Sequence, residues 1–203
     1  LTISGSTMTL SANLSDSIGV GDVIEYDYNN SGSVNSVAFI HGRTHARSFS
    51  IKSLSGSSPT QTTNTDTDWR IYRAYTSLSN AVGGIENTGP ALFGDSIADL
   101  NASGGYDLSA NDVQWNIACY ADSLDTTAVT ITGWTNGPNN YLRIFTPVQS
   151  TEVGTSQRHK GAWSFDAYAL MASAARIIMG GSYIRIDGLQ IYNTRTADWC
   201  DGI

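Results

Sequence analysis

Positive charge is scarce in this sequence: lysine occurs only at Lys52 and Lys160, and the formal net charge is −7. A chain with this balance is repelled by nucleic-acid phosphates and by anionic membrane surfaces, so we expect neither as a partner. No apolar run approaches the length of a membrane span, and we find no signal peptide. The chain starts at Leu1 rather than Met, so we expect a processed protein or a fragment of a longer one.

Cysteine is also scarce, and the two present, Cys119 and Cys200, are far apart in the sequence. A disulfide between them would tie the last residues to an earlier strand, and a secreted type of composition favours that pairing. The alternative is that both are buried thiols. Neither has histidine or cysteine neighbours at metal-site spacing, so we expect no zinc site and no cofactor.

Charged residues make up only 14% of the chain, yet ten Tyr, five Trp and five Phe can fill a folded core. The polarity comes instead from Ser, Thr, Asn and Gly. This composition is typical of β-rich extracellular proteins with many turns. We therefore expect an all-β protein located outside the cell, at a cell surface or on a virion.

Residues 1–72 predict a small antiparallel β module, similar to a barrel or sandwich. Its apolar and polar residues alternate in several short runs, as in strands that are buried on one side. His41, Arg43, His45 and Arg47 form a basic cluster, and strict alternation would place all four on one face. Such a face would suit an anion or an acidic glycan; the alternative, which we favour, is a polar surface that offsets nearby acids.

Residues 73–203 predict a short parallel β-helix behind an N-terminal helical cap. The cap would be a short helix with Thr76 or Ser77 as its N-cap and Gly83 as its end. Short β-branched segments bounded by Gly, Pro or Asn follow, and we interpret them as strands of successive coils.

The clearest of these segments is Tyr183–Tyr192, where apolar and polar residues alternate with one interruption at Gly188. A strand that bends at a glycine and resumes as a second strand has this pattern. The apolar positions are Ile184, Ile186, Leu189 and Ile191.

A family resemblance emerges when these segments are taken together. They resemble the opening coils of right-handed parallel β-helix proteins of bacteria and phages, of the pectate-lyase-like, surface-adhesin and tail-spike type. The resemblance covers about residues 73–192 and implies a right-handed coil. Known members include polysaccharide lyases and hydrolases, adhesins and structural fibres, so it selects no single function. The segments are Ala74–Leu78, Trp115–Asp122, Val129–Trp134, Tyr141–Phe145, Gln157–His159 and Tyr183–Leu189.

The chain departs from this family in having few coils and no catalytic motif. Its last strands would leave an apolar cross-section and unpaired backbone groups. Asn193–Ile203 folding back, missing downstream sequence or another subunit could cover them. We therefore expect a structural subunit of an extracellular fibre or filament, not an enzyme, assembled head to tail through the β-helix ends or an N-terminal strand. The expected interface residues are Leu1, Ile3, Ile184, Ile186, Leu189 and Ile191.

Two alternatives from other classes stay open. A β-helix polysaccharide lyase or hydrolase would need paired carboxylates, for which Asp122 and Asp125 are the nearest candidates. The resemblance would make Arg143 the base of a lyase. The same two aspartates are weak candidates for structural calcium, whereas the simpler interpretation is that they cap turns.

The other alternative is a glycan-binding adhesin or phage spike module, which would use aromatic side chains near turns. The candidates for glycan contact are Trp134, Tyr141 and Trp163. Three asparagines also match the N-glycosylation sequon, and in a secreted glycoprotein they would be candidate attachment sites: Asn13, Asn29 and Asn101.

Overall fold

The computed structural model describes residues 1–87, 106–172 and 177–194 of the 203-residue chain. These residues are mostly β, which confirms the predicted all-β class. They belong to two compact units. The first contains Leu1–Ala74, Asn87 and Pro147–Ser156, and the second contains Tyr75–Glu86 with the described parts of Asp95–Thr146 and Gln157–Ile203.

The first unit contains a six-stranded antiparallel sheet. Its strands are β1 (Thr2–Ser4), β2 (Thr7–Thr9), β3 (Asp22–Tyr26), β4 (Ser36–His45), β5 (Ser48–Lys52) and β6 (Arg70–Arg73). They lie in the order β1-β2-β5-β4-β3-β6. Apolar residues alternate with Ser and Thr along β1, β2 and β5, so one side of each strand is buried. Tyr26 and Phe49 are fully buried in the resulting core.

The outer edge of β1 is covered by a later segment of the same unit. The Leu1 amino group donates to the Asp66 carbonyl at 2.8 Å, and the Asp66 N–H donates to the Leu1 carbonyl at 2.8 Å. The Thr62 N–H donates to the Ile3 carbonyl at 3.2 Å. Leu1 and Ile3 are only 4% and 1% exposed. These two residues, expected at a self-assembly interface, are instead part of the core of the first unit.

The basic residues expected on one face of β4 are separated by irregular pairing. The register between β4 and β5 shifts twice, once on each side of Arg43. Arg43 is buried, and its guanidinium donates to the Asp16 carboxylate at 2.8 Å and to the Ile18 carbonyl at 2.9 Å. His41 and His45 are exposed. A β-bulge re-aims the side chains that follow it, so the single basic face predicted from strict alternation does not form.

The second unit contains one short helix and several short strands. They are α1 (Leu78–Gly83), β7 (Trp115–Ala118), β8 (Val129–Ile131), β9 (Leu142–Phe145), β10 (Ala169–Ala172), β11 (Ile177–Met179), β12 (Ile184–Asp187) and β13 (Gln190–Asn193). The described strand pairs of this unit are all parallel: β7 with β9, β9 with β12, β8 with β11, and β10 with β13.

Helix α1 begins and ends close to the predicted positions. The Ser77 hydroxyl oxygen accepts a hydrogen bond from the Asn80 N–H at 3.1 Å, which makes Ser77 the N-cap. Gly84 follows the helix with a left-handed φ of 69°, one residue beyond the predicted end. The buried side chains of the helix, which include Leu78 and Val82, pack into the core of the second unit.

Equivalent residues of β7, β9 and β12 lie side by side. Ile117 is in register with Ile144, and Ile144 is in register with Ile186. Ile144, in the middle, is completely buried, whereas Ile186 on the edge strand is half-buried. Each isoleucine therefore packs on its neighbour, and alternate residues of the same strands face away from this core.

Gly188 forms the bend between β12 and β13 that the sequence predicts. Its φ is +80°, a left-handed value that side-chain-bearing residues rarely adopt. A Cβ at this position would also overlap the guanidinium of Arg158 and the hydroxyl of Thr146. Both the backbone conformation and the lack of space therefore require glycine here.

Candidate functional site

Three exposed aromatic side chains meet on the surface of the second unit, and we call them the aromatic cluster: Trp163, Phe165 and Tyr192. They are 41%, 69% and 52% exposed. The Trp163 ring lies 6.0 Å from Phe165, edge to face, and 5.5 Å from Tyr192. A contiguous exposed group of large apolar rings is typical of a binding surface.

Gln190 holds the loop that carries two of these rings. Its amide oxygen accepts the Ser164 N–H at 2.8 Å, and its amide nitrogen donates to the Ser164 carbonyl at 2.8 Å. Ser164 lies between Trp163 and Phe165 in sequence, so both hydrogen bonds fix the backbone between the two rings. Gln190 is buried and lies two residues before Tyr192 on β13. The cluster is therefore positioned by a strand and not by the loop alone.

A second surface carries two arginines on neighbouring strands, and we call it the arginine face: Arg143, Arg185, Tyr141 and Phe145. Arg143 of β9 and Arg185 of β12 are in register. The Arg143 guanidinium lies 3.9 Å from the Phe145 ring centroid, and the Arg185 guanidinium lies 3.6 Å from the Tyr141 ring centroid. Both distances are within the range of cation–π contacts.

An ion pair lies beside Gly188 in the same unit. The Arg158 guanidinium donates to the Asp187 carboxylate at 2.8 Å and to the Thr146 hydroxyl at 3.1 Å. Asp187 is the last residue of β12, the strand that also carries Arg185, and it is in register with Phe145 of β9. Its contact is nevertheless with Arg158, which lies on the loop before the aromatic cluster.

The three residues predicted to contact glycan have different environments. Trp163 is exposed within the aromatic cluster. Tyr141 lies under the Arg185 guanidinium. Trp134 is partly buried against the core, with its ring 5.7 Å from Tyr106 and 6.3 Å from Trp115. Trp134 is therefore more enclosed than Trp163, and its contact with glycan stays a prediction.

Tyr192 is not among the aromatic residues near turns that the sequence marks for glycan contact. Tyr192 alternates with Ile191, which packs against the core, and that alternation is the signal that could have placed it on the surface. Its proximity to Trp163 has no local sequence signal, because the two residues come from different segments.

The Asp125 carboxylate is committed to the interior of the second unit. It accepts hydrogen bonds from the Leu78 N–H at 2.8 Å, the Tyr168 hydroxyl at 3.0 Å and the Thr127 N–H at 3.1 Å. Asp125 is buried, whereas Asp122 is exposed. Through these contacts Asp125 caps the turn at Thr127 and accepts the first N–H of α1. The described residues contain no group of three or more His, Cys, Asp or Glu suited to a metal ion.

Two other ionisable groups lie near Asp125. Burial raises the pKa of Tyr168, and the Cys119 and Asp125 side chains raise it further. Burial also raises the pKa of the Cys119 thiol, with a smaller contribution from Asp125. Both groups therefore stay protonated at neutral pH, and Cys119 is not an activated nucleophile.

The four predicted interface residues of the second unit line one open apolar cavity. Ile184, Ile186, Leu189 and Ile191 are each partly buried, and with Met179 they surround a volume of about 390 Å³. They come from β11, β12, β13 and the bend between the last two. The apolar residues that alternate inward along these strands are thus only partly buried around this cavity.

The remaining predicted sites are exposed or lie outside the described residues. Asn13 and Asn29 are exposed, as glycan attachment requires. Asn101 and Cys200 lie outside the described residues, whereas Cys119 is a buried free cysteine and not part of a disulfide.

No helix within the described part of the chain has the length and apolar character needed to cross a membrane. Comparison with protein-family models, curated proteins and solved structures found no match to this chain.

Proposed function

We propose that this chain is an extracellular glycan-binding protein of the adhesin or spike type, built on a short right-handed parallel β-helix. The observation that carries the proposal is the aromatic cluster of Trp163, Phe165 and Tyr192, whose rings are exposed yet held in fixed positions. Aromatic rings with an apolar face and a polar edge suit the alternating C–H and hydroxyl surface of a sugar.

The proposed β-helix is supported by the order in which the strands pair. β7 is followed in space by β9 and then β12, while β8 is followed by β11 and β10 by β13. Asp125 forms a parallel bridge with Leu170 of β10, which adds an earlier segment to the row of β10 and β13. Three rows of parallel segments, each visited in turn, are what a coiled chain with three sides produces.

The fixed geometry of the aromatic cluster supports affinity for a ligand. Rings that are already held by Gln190 and by each other lose little conformational entropy when a ligand binds. We propose binding rather than cleavage, because the Asp125 carboxylate is used within the fold.

The test is a glycan array followed by affinity measurements on the purified chain. We expect Trp163→Ala to weaken binding by about 2 kcal/mol, or about thirtyfold, as for a central aromatic residue of an interface. Leu54→Ala is the matched control, because Leu54 is an exposed apolar residue of the first unit, 50% exposed. Absence of binding to any glycan, or equal binding by Trp163→Ala and the wild type, would refute the proposal.

A second candidate function is the fibre or filament subunit expected from the sequence, and the apolar cavity at β11–β13 favours it. Met179 is 46% exposed there, beside the partly buried Ile184 and Ile186. Apolar surface of this kind is stabilised when another chain covers it. Electron microscopy of native material should then reveal regular filaments that Ile186→Lys abolishes, whereas a monodisperse monomer at high concentration would exclude this candidate.

A further inference from the structure

We propose that the arginine face binds the anionic groups of an acidic polysaccharide, with Arg143 and Arg185 each contacting a carboxylate or sulfate group. This inference rests on the proposed glycan-binding function and adds the class of ligand. It concerns a different surface from the aromatic cluster, so the two can be tested separately.

The in-register position of Arg143 and Arg185 is unfavourable without a partner. Like charges directly opposite each other on neighbouring strands repel and destabilise the sheet. Each guanidinium instead lies over a ring, Arg143 over Phe145 and Arg185 over Tyr141. Tyr141 immediately precedes β9 and Phe145 ends it, and four residues of extended chain correspond to about 13 Å between their backbones.

Neither arginine has an acidic partner within the part of the chain that the structure describes. The nearest acidic residue along β12 is Asp187, whose carboxylate pairs with Arg158 at 2.8 Å. Arg143 and Arg185 are therefore uncompensated cations on a chain whose net charge is −7. A guanidinium that is stacked on a ring keeps its N–H edge available for bidentate hydrogen bonds to an oxyanion.

The two guanidiniums lie on different rings, whose backbones are about 13 Å apart, and this arrangement favours a polymer over a small ion. A chain that carries sulfate or carboxylate groups at intervals can occupy both positions at once. Simultaneous contact at two linked positions raises the affinity well above that of either one.

The experiment measures the Kd of the full chain for polygalacturonate, dextran sulfate and neutral dextran at low and moderate salt. The test variant is Arg143→Gln with Arg185→Gln. Its matched control is Arg47→Gln with Arg70→Gln, which removes the same charge from two exposed arginines of the first unit. Arg185→Lys keeps the charge but loses the planar fork.

We expect the wild type to bind at least one acidic polymer more tightly than dextran, and more weakly as salt rises. The test variant should lose affinity at least tenfold, and the control should stay within twofold of the wild type. Arg185→Lys should bind more weakly than the wild type but more tightly than the test variant. The polymer that binds identifies the group as carboxylate or sulfate.

Several results would overturn this proposal. The first two are equal affinity of the test variant and the wild type, and no binding of either acidic polymer. The others are binding of single-stranded DNA as tight as that of the acidic polymer, and a rise of the thermal midpoint with inorganic sulfate as large as the rise with the acidic polymer. Trp163→Ala separates the two proposals: a chain that binds neutral glycan through Trp163 but no acidic polymer keeps the proposed function and refutes the arginine face.

Discussion

Replacement of Gly188 by alanine tests the bend on which the arrangement of the second unit depends. A left-handed φ costs a side-chain-bearing residue about 1–2 kcal/mol, and Gly188 has φ +80°. A Cβ there would also displace Arg158 from Thr146 and Asp187. Overpacking of this kind costs about 1–3 kcal/mol. The partly exposed ion pair adds less than about 1 kcal/mol, so we expect Gly188→Ala to lower the free energy of unfolding by about 2–6 kcal/mol.

The matched control is Gly161→Ala. Gly161 has a similar φ of +86°, but no atom lies within 4 Å of the Cβ position. It should therefore show the conformational cost alone, about 1–2 kcal/mol. Urea unfolding followed by tryptophan fluorescence is a suitable assay, because Trp115, Trp134 and Trp163 are all in the second unit. If the two variants differ by less than about 0.5 kcal/mol, the close approach at Gly188 does not matter and the reasoning is wrong.

Three further predictions concern groups in the core and in the loops. Asp125→Ala should lower the free energy of unfolding by about 3–5 kcal/mol in urea titrations, because the Leu78 N–H and the Tyr168 hydroxyl lose their acceptor; a loss below about 1 kcal/mol would contradict this. Burial raises the pKa of Asp27, but hydrogen bonds, the largest from the Gly32 N–H, outweigh that effect and lower it below 3.8. The stability that this carboxylate contributes is therefore present above about pH 4 and lost as the pH falls through the lowered pKa, so Asp27→Asn should destabilise the protein more at pH 7 than at pH 3 in urea titrations. Burial raises the pKa of the Cys119 thiol, so Cys119 should resist iodoacetamide at pH 8 until urea is added, as mass spectrometry of its peptide would report.

Local patterns in the sequence predict many of the elements but not all of their neighbours. Alternation locates β9 and β12, and the N-cap preference of serine locates the start of α1. Alternation fails at β4, where bulges on both sides of Arg43 turn it into the interior beside Asp16. A bulge depends on how two strands pair, so a pattern within one strand cannot reveal it.

Local sequence patterns likewise predict some of the site residues but not their surroundings. The sequence marks Trp163 and Tyr141 as aromatic residues near turns, and it marks Trp134 equally, although Trp134 packs against Tyr106 and Trp115. Composition and turn signals are the same for an exposed ring and for a ring that fills the core. Burial is decided by the segments that pack around a residue, and those segments are distant in sequence.

The sequence by itself determined the β class, the acidic charge, the bend at Gly188 and the apolar side of each short strand, because these properties depend on a residue and its immediate neighbours. The tertiary structure decided which side chains meet. Tyr192 approaches Trp163 because Gln190 of β13 holds the loop at Ser164, and Arg143 adjoins Arg185 because β9 and β12 pair in parallel. Such contacts arise only when strands from separate parts of the chain are packed together, since parallel neighbours are always distant in sequence.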